Sequence, residues 1–314
     1  MLERPDAPKA STMSTPPTEG DQGHGLTHFL RGLRLHARLD YVGGVCGRWA
    51  IDHNSDRAIW FHLVTKGDGF VHSPAWSAPL RLGEGDLVLF LPHAPKHYLA
   101  YSTDPPEFGL PGAAKVPLAE GSTGFVCGLI ELAEPTSPIW RALPGEIVVR
   151  ASEAGAELAQ LLRLVTEEAR AARAASHALI ERLFDACFVL ILRHCIERGL
   201  ARSGVLAAFQ DRALASVLGA IHAEPARAWS VSELAARAGL SRTVLNERFS
   251  AVVGSAPIEY LTAWRMQLAA EWLLDRGASL DAVAARCGYE SASAFSRMFK
   301  RHHGVAPSAW RRGR

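Results

Sequence analysis

One motif occurs twice in the last third of the chain, and this repeat constrains the fold more than any other feature. Residues 235–239 (Ala-Ala-Arg-Ala-Gly) return 49 positions later as residues 284–288 (Ala-Ala-Arg-Cys-Gly). Each copy has the pattern of a short helix, a tight turn and a second helix that ends at Gly-x-Ala-Pro, so we predict two helix-turn-helix units in tandem. Six further positions recur at a spacing of 50, namely Leu245, Phe249, Gly254, Ala256, Pro257 and Tyr260, which return as Phe295, Phe299, Gly304, Ala306, Pro307 and Trp310.

Local signals mark the helix boundaries of the first copy. Ser230 precedes an apolar-periodic run and Glu233 follows three residues later, which is the spacing of a capping box. Gly239 is suited to the positive φ of a tight turn, and Ser241 is suited to cap the second helix. We therefore predict the first unit over about residues 230–253.

The second copy repeats this plan with Ser279 as cap and Gly288 in the turn, which predicts a unit over about residues 279–303. Between the copies, Pro257 is well placed at the start of a helix that runs to about residue 276. About 18 residues of helix would span about 27 Å, a suitable strut for two reading helices about one DNA turn apart.

The second helix of each copy leaves a polar face outward. In a helix-turn-helix this face enters the major groove, with the N-terminal residues nearest the base edges. A purely structural repeat is the alternative, but two copies are too few for a stable solenoid. The candidate DNA-contacting residues are Arg242, Thr243, Asn246 and Glu247 in the first copy, and Ala292, Ser293, Ser296, Arg297 and Lys300 in the second.

The charge distribution agrees with a DNA-binding domain at the C-terminal end. Residues 211–314 hold 14 basic and 9 acidic side chains, whereas residues 1–210 hold 20 and 23. A basic domain on an acidic remainder fits the neutralisation of phosphates, although the excess is small. Within the domain, Arg297 can make a bidentate contact with guanine, and Lys300 suits a phosphate.

Residues 211–312 resemble the DNA-binding domain of the AraC/XylS family of bacterial transcription regulators. The matching strings are Gly-Tyr-Glu-Ser at 288–291, Phe-Ser-Arg-Met-Phe-Lys at 295–300 and Gly-Val-Ala-Pro-Ser-Ala-Trp-Arg at 304–311. The resemblance implies that each unit inserts one recognition helix into adjacent major grooves of double-stranded promoter DNA. By position, the resemblance implies that the base-contacting residues are Thr243, Asn246 and Glu247 in the first unit, and Ala292, Ser293, Ser296 and Arg297 in the second.

Glu247 departs from the family pattern, in which basic or amide residues often stand at this position. A carboxylate there would accept a hydrogen bond from a cytosine amine, or orient Arg242 or Arg248. The two reading faces are therefore expected to differ, and the second unit is expected to contribute more of the electrostatic attraction to DNA.

The residues ahead of this domain fall into three segments of different texture. Residues 1–24 are rich in Pro, Ser, Thr and Gly and are predicted to be disordered. Residues 25–150 contain short apolar runs such as 59–64 and 86–91 between glycine turns, which indicates a β sandwich or barrel. Residues 151–204 contain two proline-free helical stretches, which predicts a helical hairpin.

The hairpin needs a partner for an apolar stripe. In its second helix we predict Ser176 as the N-cap and a stripe that packs on the β domain of the same chain or on the hairpin of a second chain. We expect dimerisation, and both arrangements stay open. The fold class is thus an α+β multidomain chain with a β-barrel, a hairpin and an all-α tandem domain over residues 205–314. The predicted stripe is Leu179, Leu183, Cys187, Leu190 and His194.

Residues 60–64, with Gly67 and Gly69, and residues 85–97 resemble the cupin barrels fused to regulators of this family. The resemblance implies a small effector in the barrel, and we expect Trp60, His62 and His97 to contact it. Catalytic cupins hold a metal with several His and one Glu. His62 and His97 match one histidine of each cupin motif, whereas Val64 stands at another ligand position; His93 and Cys127 would complete a metal site.

The five cysteines are scattered and form no C-x-x-C motif, so a disulfide framework and a structural zinc finger are not expected. The chain lacks a signal sequence and any apolar run of about 20 residues, so a cytoplasmic protein without membrane contact is expected. Met1 and Met13 are both candidate first residues.

We predict a non-enzymatic, effector-controlled transcription regulator that requires no cofactor and acts as a homodimer. An activator would also engage RNA polymerase. Two alternatives are a metal-dependent cupin enzyme fused to a DNA-binding module, and a redox sensor that uses Cys46 or Cys127.

Overall fold

The computed structural model describes residues 26–31, 35–46, 50–52, 57–104, 114–116, 122–132, 138–275 and 277–312. The predicted disordered tail over residues 1–24 lies outside the described residues. A helical segment, α1, covers residues 26–31. The remaining elements are β1 (His36–Cys46), β2 (Ala50–Asp52), β3 (Ala58–Lys66), β4 (Gly69–His72), β5 (Leu80–Leu82), β6 (Leu87–Phe90), β7 (Tyr98–Ala100), β8 (Ala114–Val116), β9 (Thr123–Glu131), α2 (Pro138–Arg141), β10 (Glu146–Val149), α3 (Ala156–Ala171), α4 (Ser176–Glu197), α5 (Gly204–Ala208), α6 (Arg212–Ala223), α7 (Val231–Ala238), α8 (Arg242–Val253), α9 (Pro257–Trp272), α10 (Leu280–Arg286), α11 (Ala292–His303) and α12 (Pro307–Arg312).

The strands form a two-sheet sandwich. One sheet has the order β10-β6-β3-β9-β1-β8 and the other β2-β7-β4-β5. A closed barrel would need hydrogen bonds between the edges of the two sheets, and the described strands make none. The predicted cupin-like β domain is present, but its description as a barrel was wrong because the two sheets stay separate.

The central strands β3, β6 and β9 of the six-stranded sheet are buried on both faces, which explains their continuous apolar runs. Along β3, Trp60, His62 and Val64 face the sandwich interior, because successive side chains of a strand point to opposite faces. Ile59, Phe61 and Leu63 belong to the core on the other face. The helical hairpin covers this second face.

The hairpin of α3 and α4 packs on its own β domain, so one of the two arrangements left open above is present. Phe61 of β3 stacks on Phe184 of α4. The backbone N–H groups of Ala37 and Leu39 donate to the carboxylates of Asp185 and Glu181, at 2.8 and 3.1 Å. These helix carboxylates satisfy donors on a stretch of β1 that β8 does not reach.

Two details predicted for α4 were wrong. The buried stripe follows Ile180, Phe184, Cys187, Phe188, Ile191 and Cys195, so Cys187 is buried as predicted. Leu179 is 43% exposed and Leu183 and Leu190 are only partly buried, because the sheet covers a face rotated from the predicted one. The helix is preceded by Ala175 in a left-handed conformation. Ser176 is instead the first helical residue, and its Oγ donates to the buried carboxylate of Glu168, 2.6 Å away.

The C-terminal helices follow the predicted tandem arrangement. The first unit consists of α7 and α8 and the second of α10 and α11, all within the predicted bounds. The connecting helix α9 starts at Pro257 as predicted but ends at Trp272, so its 16 residues span about 24 Å. It is therefore about 3 Å shorter than the expected 27 Å.

Helix α9 belongs to two separate cores. Leu261, Trp264 and Leu268 pack in the large core that contains the first unit. Met266, Ala269, Ala270 and Leu273 pack in a smaller core with Val283, Phe295 and Phe299 of the second unit. At about 100° per residue these two stripes lie on roughly opposite faces of the helix, so α9 holds one unit on each side.

Two contacts join the N-terminal part of the chain to the C-terminal helices. Phe29 of α1 is fully buried, with its ring centroid 5.3 Å from His222 of α6 and 5.7 Å from Trp264 of α9. Helix α5 packs against both α2 of the β domain and α8 of the first unit. Among the described residues, no helix combines the length and the apolar character needed to cross a bilayer.

Candidate DNA-binding interface and sensor interior

The first helix-turn-helix is held by the caps that its sequence predicts. The Ser230 hydroxyl accepts from the Glu233 N–H at 3.2 Å, and the Glu233 carboxylate accepts from the Ser230 N–H at 2.9 Å. Gly239 ends α7 with φ at +67°, and Ser241 accepts from the Val244 N–H at the start of α8. Leu245 and Phe249 are fully buried, which turns the opposite face of α8 outward.

The predicted reading face of α8 is open. Arg242, Thr243 and Glu247 are exposed and Asn246 is half-buried. Arg248 pairs with Asp211, 2.6 Å away, so the suggestion that Glu247 orients Arg248 was wrong. Glu247 lies one position earlier on α8 and is exposed, so its carboxylate can accept a hydrogen bond from a cytosine amine.

The second unit has the same construction with more positive charge. Ser279 accepts from the Ala282 N–H and Ser291 from the Ala294 N–H, so serines cap both α10 and α11. Phe295 and Phe299 are fully buried. The Ser291 cap was not predicted, although a serine directly before Ala292 was a usable signal.

The outward face of α11 carries the remaining candidates. Ser293, Arg297 and Lys300 are exposed, and Ala292 and Ser296 are half-buried. The last turn also contains Arg301, so cations stand at the negative end of the helix dipole. An exposed guanidinium and ammonium on one helix face fit a base edge and a phosphate.

The sandwich interior brings the three predicted effector residues together. His62 is fully buried, and its Nε2 lies 3.3 Å from Nε2 of His97. The His97 ring stacks on the Phe90 ring, with 3.5 Å between the ring centroids. The Trp60 ring stacks beside the His62 ring, with 6.4 Å between the centroids. One of the two Nε2 atoms must accept the hydrogen bond, so at least one imidazole is neutral.

Phe90 and Trp76 were missed from the sequence as members of this cluster. Phe90 pairs with Trp60 across β6 and β3, so both face the same interior. Trp76 lies on the loop after β4, and its ring centroid is 6.2 Å from that of Phe90. Residues 87–90 are apolar and buried at every position, so the sequence does not show which face of the sheet Phe90 takes, and no local pattern marks Trp76.

The predicted metal ligands are only partly gathered. Cys127 is directly opposite His62 across β9 and β3, and both are buried. His93 is exposed in the turn after β6, away from this pair. Within the described ranges, no three His, Cys, Asp or Glu side chains lie close enough to hold a metal ion, so the ligand set His62, His93, His97 and Cys127 is not assembled.

All five cysteines are free thiols. Burial raises the pKa of Cys187, Cys195 and Cys287 to about 12, which leaves these thiols unreactive near neutral pH. Cys127 faces Tyr41 on β1, five positions before Cys46. Five residues of strand span about 17 Å, too far for a disulfide between Cys46 and Cys127 without rearrangement.

Comparison with known proteins identifies both parts of the chain. A family profile described as "Cupin" matches residues 25–197, and one described as "Helix-turn-helix domain" matches residues 234–313. An AraC-like transcription regulator of Streptomyces lividans is 33% identical over 89% of this chain and 94% of its own length. An HTH-type transcriptional regulator of Haemophilus influenzae is 27% identical over 91% of this chain and 97% of its own length.

Among solved structures, the DNA-binding domain of the global transcriptional factor AdpA, in complex with a target DNA, is 38% identical and covers 32% of this chain and 89% of that chain, with a TM-score of 0.29. The match to the Streptomyces regulator spans nearly the full length of both chains. With its cupin domain and two open helix-turn-helix reading faces, the chain belongs to the AraC-like family and is a DNA-binding transcriptional regulator.

Proposed function

We propose that a small organic molecule bound between the two sheets controls DNA binding by this regulator. The observation that carries this proposal is the cluster of buried His62, Phe90 and His97 with half-buried Trp60. Aromatic walls with a few convergent polar groups are typical of small-molecule sites. The expected effector has an apolar body and a polar group that hydrogen-bonds to an imidazole.

A path of contacts supports control of the reading helix from this domain. The N–H of Arg202 donates to the carbonyl of Ala142, just after α2, at 3.4 Å. Gly204 approaches the same residue, because a β-carbon on Gly204 would lie 3.0 Å from the β-carbon of Ala142. Helix α5, which starts at Gly204, then packs on α8. An effector shifts this arrangement only if it binds two states with different affinity.

A thermal-shift screen of the full chain against metabolites and divalent metals tests the sensor. A true effector raises the melting temperature of the wild type and changes its affinity for DNA. We expect His97→Gln and Trp60→Phe to weaken this response, whereas His93→Gln, a change at an exposed histidine, leaves it unchanged. A compound that binds equally well to the His97→Gln and Trp60→Phe variants does not occupy the predicted site.

We also propose that the α3–α4 hairpin forms a homodimer interface on the face turned away from the sheet. Leu164 of α3 is 40% exposed and Leu179 of α4 is 43% exposed, which are large fractions for leucine. Leu164→Glu with Leu179→Glu should shift sedimentation equilibrium toward the monomer. Leu274→Glu, at a leucine 42% exposed after α9, is the matched control. A dimer of unchanged affinity in the double variant would refute this interface.

Two alternative functions of the β domain, a metal-dependent enzyme and a redox sensor, can each be tested directly. Purified protein with a stoichiometric divalent metal that is lost in His62→Gln would favour the enzyme. An oxidant response that Cys46→Ser or Cys127→Ser removes would favour the redox sensor. We expect neither result and assign the β domain a binding role.

The remaining parts of the proposal follow from DNA binding. We propose that the protein acts in the cytoplasm, where its promoter DNA lies. If it is an activator, RNA polymerase is a further partner, and transcription in vitro from a bound promoter shows whether it activates or represses. Transcription activation that requires the effector and both DNA half-sites, one for each helix-turn-helix unit, would support the full proposal.

A further inference from the structure

The two helix-turn-helix units touch each other at a junction formed by one connecting-helix side chain and two loops. Arg265 of α9 donates from Nε to the carbonyl of Pro225 at 2.6 Å and from Nη2 to the carbonyl of Arg227 at 2.8 Å. Both acceptors lie in the loop that leads into α7 of the first unit. A planar guanidinium is suited to bind two carbonyls at once.

The same residue is tied to the second unit. The Cys287 thiol donates to the backbone carbonyl of Arg265 at 3.5 Å, and the Arg265 guanidinium lies 6.0 Å from the Tyr289 ring centroid. Cys287 and Tyr289 flank Gly288, the turn that leads toward α11. The junction thus lies directly before the first helix of one unit and before the recognition helix of the other.

Gly288 brings the two loops into direct contact. A β-carbon on Gly288 would overlap the carbonyl oxygen of Ala226 and lie 3.0 Å from Nη2 of Arg265. Gly239 has the equivalent place in the first unit and a similar φ of +67° against +76°, yet nothing lies within 4 Å of its β-carbon position. The two repeated glycines share a conformation, but only Gly288 is also required by a contact between the units.

The loop that Arg265 holds is cross-linked by contacts among its own side chains and α7. The guanidinium of Arg227 lies 3.9 Å over the Trp229 ring and pairs with Glu224 and Glu233, at 3.5 and 3.2 Å. The indole N–H of Trp229 donates to the carbonyl of Glu224 at 3.1 Å. A displacement at Arg265 is therefore passed on to α7 rather than absorbed by the loop.

We propose that Arg265 is a positioning residue that, through the contact at Gly288, locks the two units into one rigid reader with a fixed spacing between its half-sites. Helix α9 packs in two separate cores, and the junction supplies a second fixed point that sets the relative rotation of the two units. One base pair moves the second half-site by about 3.4 Å and rotates it by about 35°. If the two units are held rigidly, the protein must bind more weakly to DNA in which the spacing between the half-sites is changed by one base pair.

The test uses the full chain and a duplex that the wild type selects from randomised DNA. Dissociation constants are measured on this duplex and on versions with one base pair added or removed between the half-sites. We expect the wild type to prefer its own spacing by about tenfold or more, and Arg265→Ala and Gly288→Ala to reduce this preference to about threefold or less. Arg265→Lys, which cannot reproduce the two-pronged contact, should lie between.

Two control variants separate positioning from other roles. Gly239→Ala carries the same backbone strain without the contact and should keep the wild-type spacing preference. Arg297→Ala should weaken binding to all three duplexes by a similar factor. If Arg265 contacted a DNA phosphate instead, Arg265→Ala would lower the salt dependence of the DNA affinity by about one released counterion. The spacing preference would then stay as in the wild type.

Three outcomes would overturn the proposal: a wild type indifferent to spacing, an Arg265→Ala protein with native circular dichroism that keeps the wild-type preference, or a Gly239→Ala effect equal to that of Gly288→Ala. Where Gly288→Ala does not fold, the result with Arg265→Ala decides.

Discussion

Phe61 of β3 stacks on Phe184 of α4 with 3.9 Å between ring centroids and 22° between ring planes. Gly128 on the neighbouring strand makes room for this pair, because a β-carbon there would come within 2.5 Å of the Phe61 ring. The contact fastens the helical hairpin to the six-stranded sheet. It therefore holds the face of the hairpin that we propose for dimerisation in one orientation relative to the sensor.

Phe184→Ala should destabilise the protein by about 3–5 kcal/mol, because it removes a buried aromatic ring and leaves a cavity. Urea unfolding of the full chain followed by circular dichroism measures the change. Arg193→Ala on the exposed side of the same helix is the control and should change stability by less than about 0.5 kcal/mol. Equal effects of the two substitutions would contradict the packing of α4 on the sheet.

Arg297→Ala should weaken specific DNA binding by about 1–3 kcal/mol and relax the preference at one base pair. Lys300→Ala should instead weaken binding to all sequences and lower the salt dependence by about one released ion. Glu247→Gln should not lower the salt dependence, because a carboxylate neutralises no phosphate. Fluorescence anisotropy at several salt concentrations tests all three. Binding unaffected by Arg297→Ala would refute the role assigned to Arg297.

Ser230→Ala should lower the stability of the DNA-binding domain by about 1 kcal/mol, because it removes the side-chain half of the capping box. Ser232→Ala, two positions later and exposed on α7, should be neutral or slightly stabilising, since alanine favours helix more than serine. Thermal unfolding of both variants gives the comparison. A loss of equal size in Ser232→Ala would show that the cap is not the cause.

Asp86 should make the stability of the β domain depend on pH. Burial alone would raise the pKa of Asp86, but the N–H groups of Ala151 and Gly83 and the guanidinium of Arg150 outweigh it and hold the pKa below its ordinary value. A lowered native pKa means that the stabilisation is present above about pH 4, the ordinary value of an unfolded Asp, and is lost as the pH falls through the native pKa.

Asp86→Asn should therefore lower the free energy of unfolding at pH 7, and its difference from the wild type should shrink toward pH 3. Asp68→Asn is the control, because Asp68 pairs with Arg81 in an exposed ion pair and should have little effect at either pH. A difference between Asp86→Asn and the wild type that stays constant with pH would contradict the lowered pKa.

Much of the DNA-binding domain could be predicted because its signals are local. The Ser230–Glu233 box, the positive φ of Gly239 and the proline at the start of α9 each depend on residues within one helical turn. The same is true of the caps at Ser241 and Ser279. The reading faces followed once the buried face of each helix was assigned.

The sensor domain was less predictable because its contacts are distant in sequence. His62 and His97 meet across 35 positions, and the hairpin carboxylates reach β1 across more than 140. Ser176 had the local signature of a helix cap, yet the tertiary structure uses its hydroxyl to bind Glu168. Trp76 joins the aromatic cluster from a loop that carries no periodic signal.

The sequence by itself determined the two helix-turn-helix units, their caps and turns, the residues on their reading faces and the presence of a β domain with a helical hairpin. Only the tertiary structure decided that the β domain is an open sandwich, which face of α4 is buried and how the two units meet. Gly239 and Gly288 are equivalent in the repeat, but Gly288 alone contacts the other unit at Ala226. Local preferences repeat with the sequence, whereas contacts between distant segments depend on how the whole chain packs.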